Sequence, residues 1–489
     1  MSAKKQIILN VRRDDVRVAV RENGELVEFY IERGNSCYSP GTIIKGRIIA
    51  IRKELNAVFV DIGADSAGFL PLNDLYLSLP HKKKDKEDLE LLVQVKKEPY
   101  GTKGARLTTF IAIPGKYLVL MPFKEAFGVS RKIRNEKDRR KLKDIARELH
   151  TDDRMGIIIR TASSGEDMRI MKTDLLELKK TWEKIENKSK TVKAPTVLWK
   201  DDELPIRMAR DLLDDSVSEF IIDSEEAFKK IKEYLGRKKS SLIKKVKLYR
   251  NHTPIFNHYW IEQELRSIFR RKIHLKSGGH IVIDETEALT VFDVNTGSYK
   301  GKEKTEEMIF KTNCEGAIEI ARQLNLRDIG GIIIIDFIDM QKKENQEGLL
   351  KVFKRQLKNS KARFKIVPKL SPNGLLEMTR ERARKNIAKS FVEPCPYCKG
   401  KGYALSAPYL LSRFTTWLEK KGDALLNAKV RIIANPRVAI YFETEGKNTL
   451  EYSCEKNKMH VEIVHTENNP IELLEVITYN NEEIIKEEI

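Results

Sequence analysis

The sequence is short of the residues that build secreted scaffolds and membrane spans. Five cysteines (Cys37, Cys314, Cys395, Cys398 and Cys454) are spread over 489 residues, a poor disulfide framework that suits a reducing compartment. No stretch approaches the ~18 consecutive apolar residues of a membrane-spanning helix. The opening "MSAKKQIILNVRRDD" has an apolar run too short for a secretory signal, so a cytoplasmic location is expected. Histidine is scarce as well. None of the eight forms H-E-x-x-H or sits with a serine or cysteine in a nucleophile motif, which argues against a histidine-zinc hydrolase and a catalytic triad. No internal repeat is present.

Basic residues, by contrast, are abundant. Lys and Arg number 91 against 72 Asp and Glu, a net charge of +19, which favours a polyanionic partner such as nucleic acid or an anionic membrane surface. A chain of this length is expected to fold as several units, and its 41% hydrophobic content can supply their cores. Residues 1–34 alternate apolar and polar, with "ENGE" as a turn, and predict an N-terminal sheet. "PGTIIKGRIIAIRKELNAVFVDIGADSAGFLPLNDLY" has the short β-rich runs of a small barrel that looks like an OB-fold, interrupted by the lysine-rich loop "HKKKDKED" and resuming to about residue 113. Residues 115–214 mix strand and helix, and 215–277 carry a strand, helices and a basic run that complete the N-terminal sheet. The clearest pattern follows: a hairpin in "HIVIDETEALTVFDVNTG", a helix over Glu303 to Arg327, the buried strand "GGIIIIDFIDM", a helix near 343–358, the strand "RFKIVPKL" and a final helix. Residues 403–489 read as a small α/β unit with an acidic tail.

Asp293 in "VFDVNTG" and Asp336 in "IIIIDFIDM" fall at the carboxyl ends of predicted apolar strands, where open α/β sheets place ligand sites. Two carboxylates there suit Mg²⁺, which prefers oxygen ligands, keeps several waters and offsets charge on a phosphodiester. Asn295, two residues on, faces the same side of an extended strand. The alternative is that strand-end aspartates cap loops. Phe59 and Phe69 are interleaved with Lys45, Arg47, Arg52 and Lys53, as in surfaces that stack bases of single-stranded nucleic acid; the alternative is that both rings are core. Arg160 and Thr161 in "IIIRTASSGE" offer a guanidinium fork and a hydroxyl to a phosphate, although taken alone a plain surface arginine is the better reading. Cys395 and Cys398 in "CPYCKGKG" give two of the four ligands that structural Zn²⁺ takes. A symmetric dimer would supply the other two; a redox dithiol is the rival, without a thioredoxin-like context.

Taken together, "GRIIAIRKELNAVFVDIGADSAGFLPL", "GARLTTFIAIPGKYLVLMP", "IIIRTA", "FDVNTGSYKG", "IGGIIIIDFIDM", "GLLEMTRERAR" and "CPYCKGKG" resemble, in order, the motifs of the ribonuclease E/G endoribonucleases. The resemblance spans nearly the whole chain and is strongest to the short members that lack a disordered scaffold tail. It implies an α/β multidomain fold: an RNase H-like subdomain (1–34 and 215–278) interrupted by an OB-fold RNA-binding barrel (35–114) and a 5′-sensor α/β unit (115–214), then a DNase I-like catalytic subdomain (279–390), a zinc-link (391–402) and a small C-terminal α/β domain (403–489). By the same resemblance Asp293 and Asp336 are the Mg²⁺ ligands with Asn295 supporting, and Phe59, Phe69 and Lys103 hold RNA near the scissile bond. Gly115, Val119, Arg160, Thr161 and Arg363 contact a 5′-monophosphate, and Cys395 and Cys398 share structural Zn²⁺ between subunits of a dimer that assembles further into a dimer of dimers. The implied activity is Mg²⁺-dependent cleavage of single-stranded A/U-rich RNA to 5′-phosphate and 3′-hydroxyl ends, in ribosomal RNA maturation and mRNA decay. A non-catalytic RNA-binding scaffold is the alternative that the charge and barrel alone would also serve. The sensor loop "ASSGE" and the prolines Pro368 and Pro372 depart from the family pattern.

Overall fold

The computed structural model describes residues 4–488 except 35–37, 77–88, 100–103, 126, 131–132, 134, 151–154, 239–240, 298–304, 359–361, 372, 382–386, 389–390, 394, 396–397, 399, 401, 422–424, 426–427, 457, 468 and 481–482. Lys103, Cys37 and Pro372 therefore lie outside the described residues. The chain divides into two compact units, Met1–Ala388 and Lys389–Ile489. Among the described residues no helix is long and apolar enough to cross a membrane.

The first unit begins with an antiparallel meander, Lys5–Val11, Asp15–Glu22 and Glu25–Arg33. Asn23 (φ 52°) and Gly24 (φ 88°) turn its second hairpin, the left-handed pair that matches the twist of two adjoining strands. Strand Val217–Ile222 adds in parallel beside Lys5–Val11, and Val246–Leu248 beside that, so one sheet joins segments some two hundred residues apart. Ile7, Leu9, Val18, Val20 and Phe220 form its core. Five strands between these segments close a barrel: Ile43–Arg52, Ala57–Asp61, Gly68–Pro71, Arg106–Thr108 and Glu90–Lys97, the last pairing back to the first. Ile44, Ile48, Val58, Val60, Leu70, Val93 and Leu107 fill its interior. Because side chains alternate along each strand, the intervening residues point outward.

A four-stranded sheet follows, in the order Phe127–Val129, Gly156–Ile159, Leu118–Met121, Ile113–Pro114. It packs against helices Glu136–Leu149 and Met168–Thr191 through Leu118, Leu120, Ile157, Leu142, Met171 and Trp182. Asn135 starts the first helix by accepting the backbone N–H groups of Lys137 and Asp138, which would otherwise lack partners.

The six-stranded sheet runs Lys272–His274, His280–Glu285, Leu289–Asn295, Gly331–Asp336, Leu375–Arg380, Phe364–Ile366. Residues of helices Thr305–Leu326 and Lys343–Leu357 share its core with Ile281, Phe292, Val294, Ile333 and Ile335. The final helix expected after "RFKIVPKL" is instead, over Leu375–Arg380, a strand. Glu, Met, Leu and Arg are good helix formers, but Leu376, Met378 and Arg380 are buried on alternate positions, and pairing with the central Gly331–Asp336 strand overrides the local preference.

In the second unit, helices Ala407–Lys421, Pro436–Glu443 and Lys447–Lys456 accompany a sheet ordered His460–His465, Lys429–Ala434, Glu475–Asn480, Glu483–Glu488. The acidic tail is thus an edge strand, with Lys421 pairing with Glu487 at 2.6 Å and Lys486 with Glu475 at 2.6 Å. Opposite charge near the pairing edge replaces the self-repulsion expected of a free acidic tail.

Candidate active site

Two adjacent parallel strands bring the carboxylates together. In the register between Leu289–Asn295 and Gly331–Asp336, the Cα of Asp293 lies directly opposite that of Asp336. Phe292, Val294, Ile333 and Ile335 are buried beneath the sheet, so Asp293, Asn295 and Asp336 occupy its open face. Asn295 Nδ2 donates to Asp293 Oδ2 at 2.8 Å, fixing one oxygen and leaving the other for a ligand. Desolvation, then the negative charges of Asp293 and Asp339, push the Asp336 carboxyl above its ordinary range. Such a site gains from a cation.

The turn after Asp336 is held by a residue that sequence reading passed over. Asn313 of helix Thr305–Leu326 is fully buried. Its Nδ2 donates to Ile338 O at 2.8 Å, and its Oδ1 accepts from Ile338 N at 3.0 Å. Glu306 of the same helix accepts from Lys342 N at 3.1 Å and Asn345 Nδ2 at 3.0 Å, closing the far end of that turn. A buried Asn one helix away in sequence carries no motif; only the fold shows its purpose.

The donor set fits a hard divalent ion in part. Two carboxylates and an amide are the oxygen-rich partners that Mg²⁺ takes while retaining water. Among the described residues no cluster of three or more His, Cys, Asp or Glu side chains gathers for a metal.

On the barrel, Phe59 and Phe69 are directly opposed across strands Ala57–Asp61 and Gly68–Pro71. Their rings meet edge to face, 6.0 Å apart at 75°. Both are half-buried and absent from the interior cluster, whose members are Val58, Val60 and Leu70. The rings therefore lie on the outer face, and the core alternative is overturned. Arg106 continues the row beside Phe69, with Lys97 beyond it. Lys45 and Arg47, by contrast, serve the fold. Lys45 Nζ donates to Ser189 O and Val192 O at 3.0 and 2.9 Å at the end of a helix and pairs with Glu90 at 2.7 Å, while Arg47 donates to Ala194 O at 3.0 Å.

Gly115 and Arg160 come together in the four-stranded sheet. Arg160 Nη1 donates to Gly115 O, its Nη2 to Asp211 Oδ1 at 2.6 Å, and its backbone N–H to Tyr117 O at 2.8 Å. Burial opposes ionisation of Asp211, yet Arg210 and Arg160 hold its carboxyl below the ordinary range. Val119 pairs with Pro114 and Ile158 on this sheet, and Thr161 is exposed directly after Arg160. A Cβ on Gly115 would lie 2.4 Å from Asp174 Oδ2, so a buried carboxylate excludes any side chain there. Lys116 next to it is buried with its Nζ donating to Leu213 O at 3.1 Å; burial, then Arg160, lower its ammonium to about 8. Arg363 is exposed just before the edge strand Phe364–Ile366 of the six-stranded sheet, with Glu381 4.0 Å away.

In the second unit, Cys395 is exposed and Cys398 half-buried, both as free thiols. Cys398 Sγ accepts Gly402 N at 3.3 Å. The N–H groups of Gly402 and Gly400, with Cys395, hold the Cys398 thiol below its ordinary value. A thiolate-favouring turn with two sulfurs is half of a tetrahedral zinc set. Cys454 is buried and its thiol is pushed up to about 11 by burial and Glu451.

An outward-facing aromatic pair on a closed barrel and paired carboxylates on an α/β sheet are the kinds of feature used to bind nucleic acid and to act on phosphodiesters. Comparison with known proteins narrows the class. A model described as "Ribonuclease E/G family" matches residues 112–383. Ribonuclease G of Salmonella typhimurium is 34% identical over 462 residues, covering 91% of this chain and 94% of that protein. Ribonuclease G of Escherichia coli K12 is 35% identical over 463 residues, with the same coverages of 91% and 94%. Ribonuclease E of Haemophilus influenzae is 35% identical over 481 residues, 96% of this chain but 51% of that longer protein. The chain belongs to the ribonuclease E/G family and is an endoribonuclease.

Proposed function

We propose that the enzyme cuts single-stranded, A/U-rich RNA in a Mg²⁺-dependent hydrolysis that leaves a 5′-phosphate and a 3′-hydroxyl. The observation that carries this reading is the in-register pair Asp293 and Asp336 on an open sheet face. Mg²⁺ bound there supplies a positive charge that offsets the charge building on the phosphodiester and makes water a better nucleophile. Asp293 and Asp336 hold the ion, and Asn295 orients Asp293 through their 2.8 Å hydrogen bond. Phe59 and Phe69 stack unpaired bases, an arrangement that suits single strands because a duplex hides its base faces. Lys103 joins them as an RNA contact by family resemblance.

A 5′-monophosphate on the substrate stimulates cutting by binding at Gly115, Val119, Arg160 and Thr161, with Arg363 as a further contact. The bonds of the Arg160 guanidinium to Gly115 O and Asp211 support this reading, because a phosphate would share or displace the bond to Asp211. The strand order of the first sheet supports an RNase H-like assignment for residues 1–34 and 215–278, and the six-stranded sheet supports a DNase I-like catalytic subdomain over 279–390. Cys395 and Cys398 bind Zn²⁺ together with the same pair of a second chain, linking a dimer that pairs into a tetramer. Ribosomal RNA precursor processing and mRNA decay in the cytoplasm are the cellular roles this activity fits.

The test is cleavage of one A/U-rich oligoribonucleotide carrying either a 5′-monophosphate or a 5′-hydroxyl, with Mg²⁺ or with EDTA. Faster cutting of the monophosphate form, abolished by EDTA, supports both assignments; equal rates remove the sensor, and cutting in EDTA removes the metal. For the link, Cys395→Ser with Cys398→Ser should shift sedimentation to smaller species. An unchanged oligomer containing no zinc would rule it out.

A further inference from the structure

The open face that bears the carboxylates carries further side chains that the reaction has not yet used. His274 lies opposite His280, and Lys272 opposite Val282. His280 in turn lies opposite Asn295, and Val282 opposite Asp293. Directly opposed residues share one face of a sheet. Two rows therefore cross it: His274, His280 and Asn295 in one, and Lys272, Val282, Asp293, Asp336 and Leu375 in the other. The pleat agrees, since the alternate residues Ile273, Ile281, Val294 and Ile335 are buried while Lys272 and His274 are exposed. With neighbouring strands ~4.8 Å apart, Lys272 starts two strands from Asp293, and its long stem can reach back toward it.

The side chains of Lys272, His274 and His280 differ from nearby basic residues in having no protein partner among the described residues. Arg271 pairs with Asp284 at 2.5 Å, Lys45 with Glu90 at 2.7 Å, Lys96 with Asp74 at 2.7 Å and Arg160 with Asp211 at 2.6 Å. Among the described residues the side chains of Lys272, His274 and His280 make no hydrogen bond or ion pair; the two imidazoles lie side by side, tilted, with centroids 6.2 Å apart. Burial, Lys272 and His274 all disfavour charge on His280, against the pull of Asp293. A phosphate on this face would meet the Lys272 ammonium and the N–H donors of the two imidazoles. The opposite flank of the carboxylates is different: there Glu377 and the half-exposed Ile332 stand between Asp336 and the outlying Lys365.

We propose that Lys272, His274 and His280 form an RNA-backbone subsite, taking the phosphate of a nucleotide next to the scissile bond. The proposal rests on the nuclease reading above, which places that bond at Asp293 and Asp336. It adds direction: a strand crossing the carboxylates is drawn toward the Lys272 edge of the sheet and away from the Glu377 edge.

The experiment uses the full chain and a fluorescent single-stranded oligoribonucleotide. Affinity is measured by anisotropy in EDTA between 50 and 200 mM KCl, so that RNA stays intact, and KM and kcat are then measured with Mg²⁺. Each phosphate contact contributes about 0.7 to the slope of log affinity against log salt for single strands. Lys272→Ala should therefore flatten the slope by about 0.7 and raise KM about three-fold, with a smaller change in kcat; His274→Ala with His280→Ala should raise KM at least as much. Lys365→Ala should change neither. A wild-type slope and KM in Lys272→Ala, or an equal effect from Lys365→Ala, overturns the subsite while leaving the nuclease intact. Wild type that binds this RNA but does not cut it overturns the nuclease reading itself.

Discussion

Gly115 gives the sharpest structural prediction, because the cost of a single methyl group there can be worked out. The Cβ of Gly115→Ala would lie 2.4 Å from Asp174 Oδ2, 2.9 Å from its Cγ and 3.0 Å from its Oδ1. Ordinary carbon–oxygen contacts begin near ~3.3 Å, so the carboxylate must withdraw by about 1 Å. It is poorly placed to do so. Asp174 is fully buried, its Oδ2 accepts from Tyr117 N at 2.9 Å and Leu118 N at 3.1 Å, and its Oδ1 accepts from Lys238 Nζ at 2.6 Å. A shift of about 1 Å takes both backbone bonds beyond hydrogen-bonding range. Each unsatisfied buried N–H costs ~1–3 kcal/mol, so the loss of both bonds should be ~2–6 kcal/mol. The assay is amide exchange at Tyr117 and Leu118, since a multidomain chain does not unfold in one step. Exchange there should quicken by at least about 30-fold, and by up to about 10⁴-fold. Gly128→Ala on the same sheet, where a Cβ meets nothing within 4 Å, should leave exchange unchanged. Protection in Gly115→Ala that matches wild type would refute the reasoning.

Three further outcomes follow from the same geometry. Asn313→Ala removes both bonds to Ile338 and should cost ~2–3 kcal/mol locally, read as faster amide exchange at Ile338, while lowering kcat more than it alters KM; a variant with faster exchange and wild-type kcat would show that the turn after Asp336 needs no such anchor. Phe59→Ala, on the outer face of the barrel, should weaken RNA binding by ~1–3 kcal/mol with little change in melting temperature, whereas a core ring would show the reverse. In metal-free protein Asp336→Asn should melt higher than wild type at pH 7. Folding raises the Asp336 pKa, so wild type recovers stability as pH falls through that folded value toward the unfolded one, and the difference should shrink as the pH is lowered. A wild type that is the more stable of the two at pH 7 would contradict the burial argument.

Much of this arrangement could be read from the residues. Period-two alternation located the meander and the barrel, and the apolar runs ending in Asp293 and Asp336 identified neighbouring strands, since buried strands signal themselves by composition. What the pattern could not give was register. That Asp293 lies opposite Asp336, and His280 opposite Asn295, depends on pairing between segments tens of residues apart. Nor could it rank the cations: Lys45 and Lys272 look alike in sequence, yet the first closes a helix end and pairs with Glu90, and the second has no partner among the described residues. The strand Leu375–Arg380 was misjudged because its residues favour helix locally while a central sheet position demands strand. Asn313 and Asp174 were invisible because a buried polar side chain is understood only through the backbone groups it satisfies.

The central claim, that Asp293 and Asp336 form the Mg²⁺-dependent cutting site, is tested most directly by comparing wild type with Asp293→Asn on one single-stranded A/U-rich RNA. Cleavage with Mg²⁺ should be lost in the variant while RNA affinity measured in EDTA stays within about two-fold of wild type, the change of a neutral isostere outside the stacking surface. Undiminished cutting by Asp293→Asn would place the chemistry elsewhere in the chain.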